Sequence, residues 1–309
     1  MLRRLAPLAL AILACTGETT SRASAGRPSG STSGPPPGTD VWLAELRVDE
    51  DGAPAGIGEA RNVTARPGYD NQPYFLPDGT GFWYTSIDEL GEADILRYDL
   101  ATGSTEAVTS TAPESEYSAT PLPGGGGFSA IRVEADSTQR LWRFPLDGGE
   151  PSVILPEVAP VGYHAWADES TVVLFVLGAP PTLQVGDLES GEVRVVARDV
   201  GRSLQQVPGT RQVSYVQRLE GGGTEIRRLD PDTGASELVA PGIEGGDFHA
   251  WTPSGGLLQA GRGVLHRWTP DAGWEPIADL GPLGIRLSRL AVSPDGTLIA
   301  LVGEPDEEG

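Results

Sequence analysis

The sequence predicts an all-β fold, a six-bladed β-propeller with four antiparallel strands per blade and a last blade completed by N-terminal strands. Three observations carry this. Glycine and proline are abundant, 42 and 27 in 309 residues, which suits short strands joined by many turns. No window after residue 40 carries an apolar stripe at helical spacing. A turn closed by glycine recurs at positions 103, 149, 191, 234 and 273, at intervals of 46, 42, 43 and 39 residues, the length of a four-stranded blade.

The chain opens on MLRRLAPLALAILAC, two arginines ahead of an apolar run too short to span a bilayer, which is the form of an export signal. Cys15, the only cysteine, ends that run in Ile12-Leu13-Ala14-Cys15. This stretch is similar to the bacterial lipobox, whose cysteine is lipidated and becomes the mature N-terminus. The alternative is an ordinary secretory signal cut after Ala23-Ser24-Ala25, which discards Cys15. Both routes export the protein. Residues 16–39 are rich in Ser, Thr, Gly and Pro and bury too little apolar surface to offset chain entropy, so they read as a disordered tether.

From residue 40 two elements keep one beat. The first is a strand end running into a Gly-closed turn: RYDLATG, RFPLDGG, VGDLESG, RLDPDTG and RWTPDAG. Glycine is expected at each closing position because such a turn places a residue at positive φ. The second element occurs six times, as PYFLPDG, TPLPGGG, HAWADES, QQVPGTR, AWTPSGG and LAVSPDG. An alternating apolar strand follows each element, which gives four strands per unit. One such sheet cannot bury both faces, so units stack around an axis. The sixth unit has only RLAVS and TLIALVG. Residues 40–52 are expected to supply its third strand and turn, and GEARNVT (58–64) its outer strand, closing the ring. The propeller then spans 40–304, with 305–309 as an acidic tail.

Residues 71–109 resemble the repeat of the TolB-type, WD40-like (PD40) β-propellers. The resemblance lies in Asn71, Pro73, Pro77-Asp78-Gly79, Tyr84, Ser86, Ile95, Tyr98-Asp99-Leu100, Thr102-Gly103 and Val108-Thr109, and SPDGTLIALVG near the end matches the same repeat. The middle blades match less well. These motifs are turn chemistry, so the resemblance implies a fold and says little of activity. In TolB an α/β domain precedes the propeller, and none fits residues 16–39. Related propellers that cap prolyl-oligopeptidase-like hydrolases rely on a C-terminal α/β domain, and only EPDEEG follows the last strand here.

With 43 acidic and 22 basic residues the formal net charge is −21, which repels phosphate backbones, so no nucleic-acid partner is expected. No Gly-x-Ser-x-Gly elbow, His-Glu-x-x-His or P-loop is present. The acidic turns VDEDG and DPDTG lack calcium-loop spacing, and no helix follows PGGGG to cradle a phosphate. Candidate site residues come from GYHAW and DFHAW, equivalent stretches two blades apart. His164 and His249 are expected at the start of innermost strands near the channel mouth, with Asn71, Arg202 and Asp247 at the matching position of other blades. The competing reading makes His-Ala-Trp a packing motif, with Trp166 and Trp251 between blades and each imidazole bonded to a neighbour. His266 reads as an outer-strand surface residue.

The residues point to an exported, lipid-anchored, monomeric platform that binds a protein or peptide of the cell envelope without catalysis or cofactor. The alternative is a six-bladed lactonase, hydrolase or lyase in which His164, His249 and Asp247 act at the mouth, with a single divalent metal as the implied cofactor.

Overall fold

The computed structural model describes residues 36–305. The expected export signal with Cys15, most of the expected tether, and residues 306–309 lie outside the described residues. Strands β1 (Asp40–Val48), β2 (Pro54–Ile57) and β3 (Arg61–Asn62) come first in the chain. Blade 1 follows as β4 (Tyr69–Phe75), β5 (Gly81–Ile87), β6 (Ala93–Asp99) and β7 (Thr105–Ala107). Blade 2 is β8 (Ser115–Pro121), β9 (Gly127–Val133), β10 (Gln139–Pro145) and β11 (Ser152–Ile154). Blade 3 is β12 (Val161–Trp166), β13 (Thr171–Val176), β14 (Thr182–Asp187) and β15 (Val193–Arg198). Blade 4 is β16 (Val200–Gln206), β17 (Val213–Arg218), β18 (Thr224–Leu229) and β19 (Ser236–Pro241). Blade 5 is β20 (His249–Trp251), β21 (Leu257–Gly261), β22 (Val264–Thr269) and β23 (Gly273–Asp279). A single 3-10 turn at Gly281–Leu283 leads to β24 (Ile285–Val292) and β25 (Leu298–Pro305), and no α-helix occurs among the described residues.

The first strand of each blade is the innermost, and these inner strands neighbour one another in sequence order around a closed ring. Blade 6 joins both ends of the chain in the order β2-β1-β25-β24. Val41 pairs with Val302 and Leu43 with Ala300 in antiparallel register. Alternation along β25 then serves two neighbours. Ala300 and Val302 pack with Phe75, Phe82 and Tyr84 of blade 1, while Ile299 and Leu301 pack with Leu258 and Leu265 of blade 5. Elsewhere in the ring Trp83 of blade 1 packs on Phe128 of blade 2, ring centroids 5.0 Å apart. The six-bladed, all-β prediction and its closing half-blades agree with the structure.

Three details differ. The outer strand of blade 6 starts at Pro54 and is split, with β2 pairing to Leu46–Val48 and β3 to Trp42 and Leu43 on the same edge of β1. The cause is the preceding turn: Asp49 Oδ1 accepts the N–H groups of Asp51 and Ala53, so the chain reverses at once and meets β1 earlier than 58–64. In blade 2 the left-handed residue is Gly148 (φ +85°), not Gly149. Asp147 directly precedes that glycine, whereas Asp99 lies further ahead of Gly103 (φ +71°), so the blade 2 turn is tighter. Thr39, at the end of the tether, is already part of the fold, donating from Oγ1 to the Asp70 carbonyl at 3.0 Å.

The closure predicts fragment behaviour. A chain beginning after Thr64 should lose cooperative unfolding and scatter light, and a peptide of residues 36–64 added in trans should restore cooperativity and remove the scatter. Unchanged unfolding of the shortened chain, followed by tryptophan fluorescence, would contradict the closure.

Candidate functional site

Each inner strand runs into a turn whose first central residue is Pro77, Pro123, Asp168, Pro208, Pro253 or Pro294. Five positions before these stand Gln72, Ser118, Tyr163, Ser203, Phe248 and Arg289. All six line one cavity of about 250 Å³ within the ring, on the side of those turns. The backbone explains why one repeat position converges there. Five of the six inner strands lose regular register beside it, between Asn71 and Tyr74, Tyr117 and Thr120, Val161 and Tyr163, Val200 and Leu204, and Leu287 and Arg289. Such bulges re-aim a side chain away from the plain alternation of a strand. Gln72 and Ser118 adopt left-handed conformations, φ +61° and +55°, which cost about 1–3 kcal/mol each. Gln72 Oε1 offsets this by accepting the Ser118 N–H (2.7 Å), the Ser118 hydroxyl (2.9 Å) and the Thr85 hydroxyl (3.0 Å).

Arg289 dominates the inner end of the cavity. Its Nε donates to Asn71 Oδ1 at 3.0 Å and its Nη2 to Tyr163 Oη at 3.1 Å. Blade 6 thereby reaches blade 3, on the opposite wall of a six-membered ring. The guanidinium also lies 3.9 Å from the Phe248 ring centroid, a close cation–π contact. Arg202 of blade 4 approaches the same Tyr163 phenol. Burial pushes that phenol up, but the charges of Arg289 and then Arg202 outweigh it and hold the group below its usual 10.0. The cavity wall contains these two arginines and no aspartate or glutamate.

The histidines belong to a different arrangement. His249 is fully buried, with Nδ1 3.0 Å from Ser203 Oγ and Nε2 2.7 Å from Ser214 Oγ. Trp251 Nε1 donates to the same Ser214 Oγ at 2.8 Å. Blades 2 and 3 repeat the device: Ser129 Oγ lies 2.7 Å from His164 Nε2 and accepts from Trp166 Nε1 at 2.9 Å. Each His-Ala-Trp thus latches its blade to a serine on the second strand of the preceding blade. Burial pushes both imidazoles down to about 3, so both are neutral. His164 Nδ1 is buried without a hydrogen-bond partner.

The structure brings Asn71, Arg202 and His164 to the cavity region and separates the others. Asn71 is buried and holds Arg289 from behind; Arg202 and His164 are part of the wall. His164 sits in the second half of β12, not at its start. His249 is sealed in its latch, and Asp247 is exposed outside the cavity lining. The two imidazoles serve different seams, so as arranged they do not share an ion. No group of three His, Cys, Asp or Glu side chains able to hold a metal occurs among the described residues. His266 lies on the third strand of its blade, half-buried, with Nδ1 3.1 Å from the Val264 carbonyl oxygen. Sequence reasoning passed over Tyr163, Phe248 and Arg289. The signal was present: Tyr163 and Phe248 directly precede the two histidines, and neighbours on a strand face opposite sides, so a histidine in the seam leaves its neighbour in the channel.

No family model and no curated protein matches this sequence. Solved structures do match the fold. A TolB-like protein from Agrobacterium tumefaciens, 18% identical, superposes with a TM-score of 0.64 over 86% of this chain and 98% of its own. TolB from Acinetobacter baumannii, 16% identical, gives 0.58 over 86% of this chain and 65% of its own. An oligogalacturonate lyase solved with manganese, 17% identical, gives 0.54 over 80% of each chain. The chain therefore has the propeller fold that TolB proteins share with enzymes.

The latches predict an acid-sensitive fold. Because both histidines titrate lower when folded than the ordinary 6.5, the unfolded chain binds more protons between about pH 6.5 and 3. Stability should be full above that window and fall through it, each histidine contributing up to about 1.4 kcal/mol per pH unit. Denaturant titrations of wild type and His249→Gln between pH 7 and 5 check this; equal slopes would contradict it.

Proposed function

We propose that this protein is a non-enzymatic binding platform of the cell envelope, exported and tethered through a lipid on Cys15, with the arginine-walled cavity as its binding site. One observation carries the reading. In a chain of net charge −21, the cavity bounded by the inner strands is lined by two guanidiniums, the Tyr163 phenol and the Phe248 ring, and by no carboxylate. Charged groups placed so selectively in a concave wall mark a ligand site for an anionic group. The walls are rigid by construction, since Arg289 is fixed from Asn71 and Tyr163 and Gln72 from Ser118 and Thr85. Such rigidity lowers the ordering cost of binding.

A lactonase or lyase is the second reading, supported by a fold shared with the manganese-bound oligogalacturonate lyase. In that case His164 and His249 would have to leave their serines to meet a metal ion.

Envelope extract passed over immobilised protein should yield a partner retained by wild type and lost with Arg202→Gln/Arg289→Gln, while elemental analysis of the same preparation finds no stoichiometric Zn, Ca or Mn. Stoichiometric metal with equal retention by both proteins would favour the enzyme. Cys15→Ala should move the protein from the membrane to the soluble fraction. A mature N-terminus at Gly26 would instead establish the secretory signal and remove the anchor from the reading.

A further inference from the structure

We propose that the cavity receives the free C-terminus of an extended peptide with a neutral or basic body, its terminal carboxylate held by Arg289 and Arg202. The inference rests on the platform reading and names the chemistry of its ligand. Geometry sets the mode of entry. The Arg289–Tyr163 bond crosses from blade 6 to blade 3, and with Phe248 it forms the inner end of the cavity. A polypeptide therefore enters from the turn side and end first, since a loop would have to bring two strands through the same mouth.

Charge selects which end. An N-terminal ammonium meets two guanidiniums and no carboxylate, whereas a C-terminal carboxylate meets planar donors suited to two-point, charge-assisted hydrogen bonds. Arg289 offers five N–H groups, and Asn71 and Tyr163 engage one each, so it can bind without releasing its supports. Among the described residues Arg289 forms no ion pair, while Arg66, Arg97, Arg132 and Arg140 each hold a carboxylate. On the side of blades 1 and 2, Pro73, Tyr74, Pro77, Pro121, Leu122 and Pro123 form an apolar flank for the side chains behind the terminus. The surrounding field is acidic, which disfavours polyanions and acidic peptides and favours a body that is neutral or basic.

The test uses two pools of short random-sequence peptides, one with free C-termini and one amidated, applied to immobilised full-length protein and read by mass spectrometry of the bound fraction. Free acids should be retained roughly tenfold to a hundredfold over amides, the worth of a charged hydrogen-bond pair. Arg289→Gln should bring the ratio to near parity, and Arg289→Lys should recover part of it, because the charge returns without the fork. Arg202→Gln, which leaves the channel bridge in place, carries the same test if Arg289 variants fail to fold, and an unchanged ratio there would count against the proposal. Equal retention of acids and amides would overturn it. So would benzoate binding as tightly as the peptide acids, which would make the occupant a small acid. If either occurs while an envelope partner is captured equally by wild type and Arg289→Gln, the platform reading survives with its site elsewhere. Capture by neither removes both.

Discussion

The pairing of β1 with β25 is the constraint on which the rest depends. Without it blade 6 is a two-stranded hairpin, marginal in water, and blade 1 loses Val41 and Leu43 from the cluster that holds Phe82 and Tyr84. Closure does more than bury these groups. It fixes β24 opposite blade 3, and only that placement allows Arg289 to reach Tyr163 across the channel. The site is thus a consequence of ring closure, assembled from residues that are distant in sequence though they share one position of the repeat.

Within the ring, alternation along each inner strand divides two tasks. In GYHAW and DFHAW the histidine and tryptophan turn into the seam and bond a serine of the preceding blade, while the aromatic residue ahead of the histidine faces the channel. The seam position favours groups that can bond across it, because a buried imidazole or indole N–H without a partner costs about 1–3 kcal/mol; in blade 3 only Nε2 of His164 is bonded, and its Nδ1 is left without a partner. The channel position varies from blade to blade, and its buried polar members are bonded in their own ways, Gln72 to Ser118 and Thr85 and Ser203 to His249. Gln72, Ser118, Tyr163, Ser203, Phe248 and Arg289 thus share one repeat position. The acidic surplus has a separate origin in part. Asp78, Asp99, Asp187 and Asp230 accept backbone N–H groups of their own turns, which holds their carboxyls below the usual range. These charges are turn chemistry, and none of the four carboxylates lines the cavity wall.

The fold was legible because turn residues report backbone requirements directly: a Pro-Asp-Gly or Asp-x-x-Gly run states where a strand ends. The split outer strand of blade 6 was not, since Pro54–Ile57 carries no strong strand signal and its position follows from how tightly Asp49 folds the preceding turn. The site was legible only to within one residue. Asn71, Arg202 and Asp247 lie one position before Gln72, Ser203 and Phe248, and on a strand a single step exchanges faces. Arg202 still reaches the cavity because β16 loses register between Val200 and Leu204, whereas Asp247 precedes β20, which has no such irregularity, and stays outside. The bulges are register irregularities between paired strands, and a single strand read in isolation does not reveal them. The histidines attracted attention as titratable groups, yet their environment makes them neutral structural members.

The central claim is that ring closure brings Arg289 against Tyr163 and builds the anion-binding end of the channel. A double-mutant cycle with Arg289→Gln and Tyr163→Phe, read as unfolding free energy at neutral pH, tests it most directly. Direct contact across the channel predicts a coupling of about 1 kcal/mol or more. Strictly additive effects would contradict the bridge, and with it the account of how this propeller forms a site.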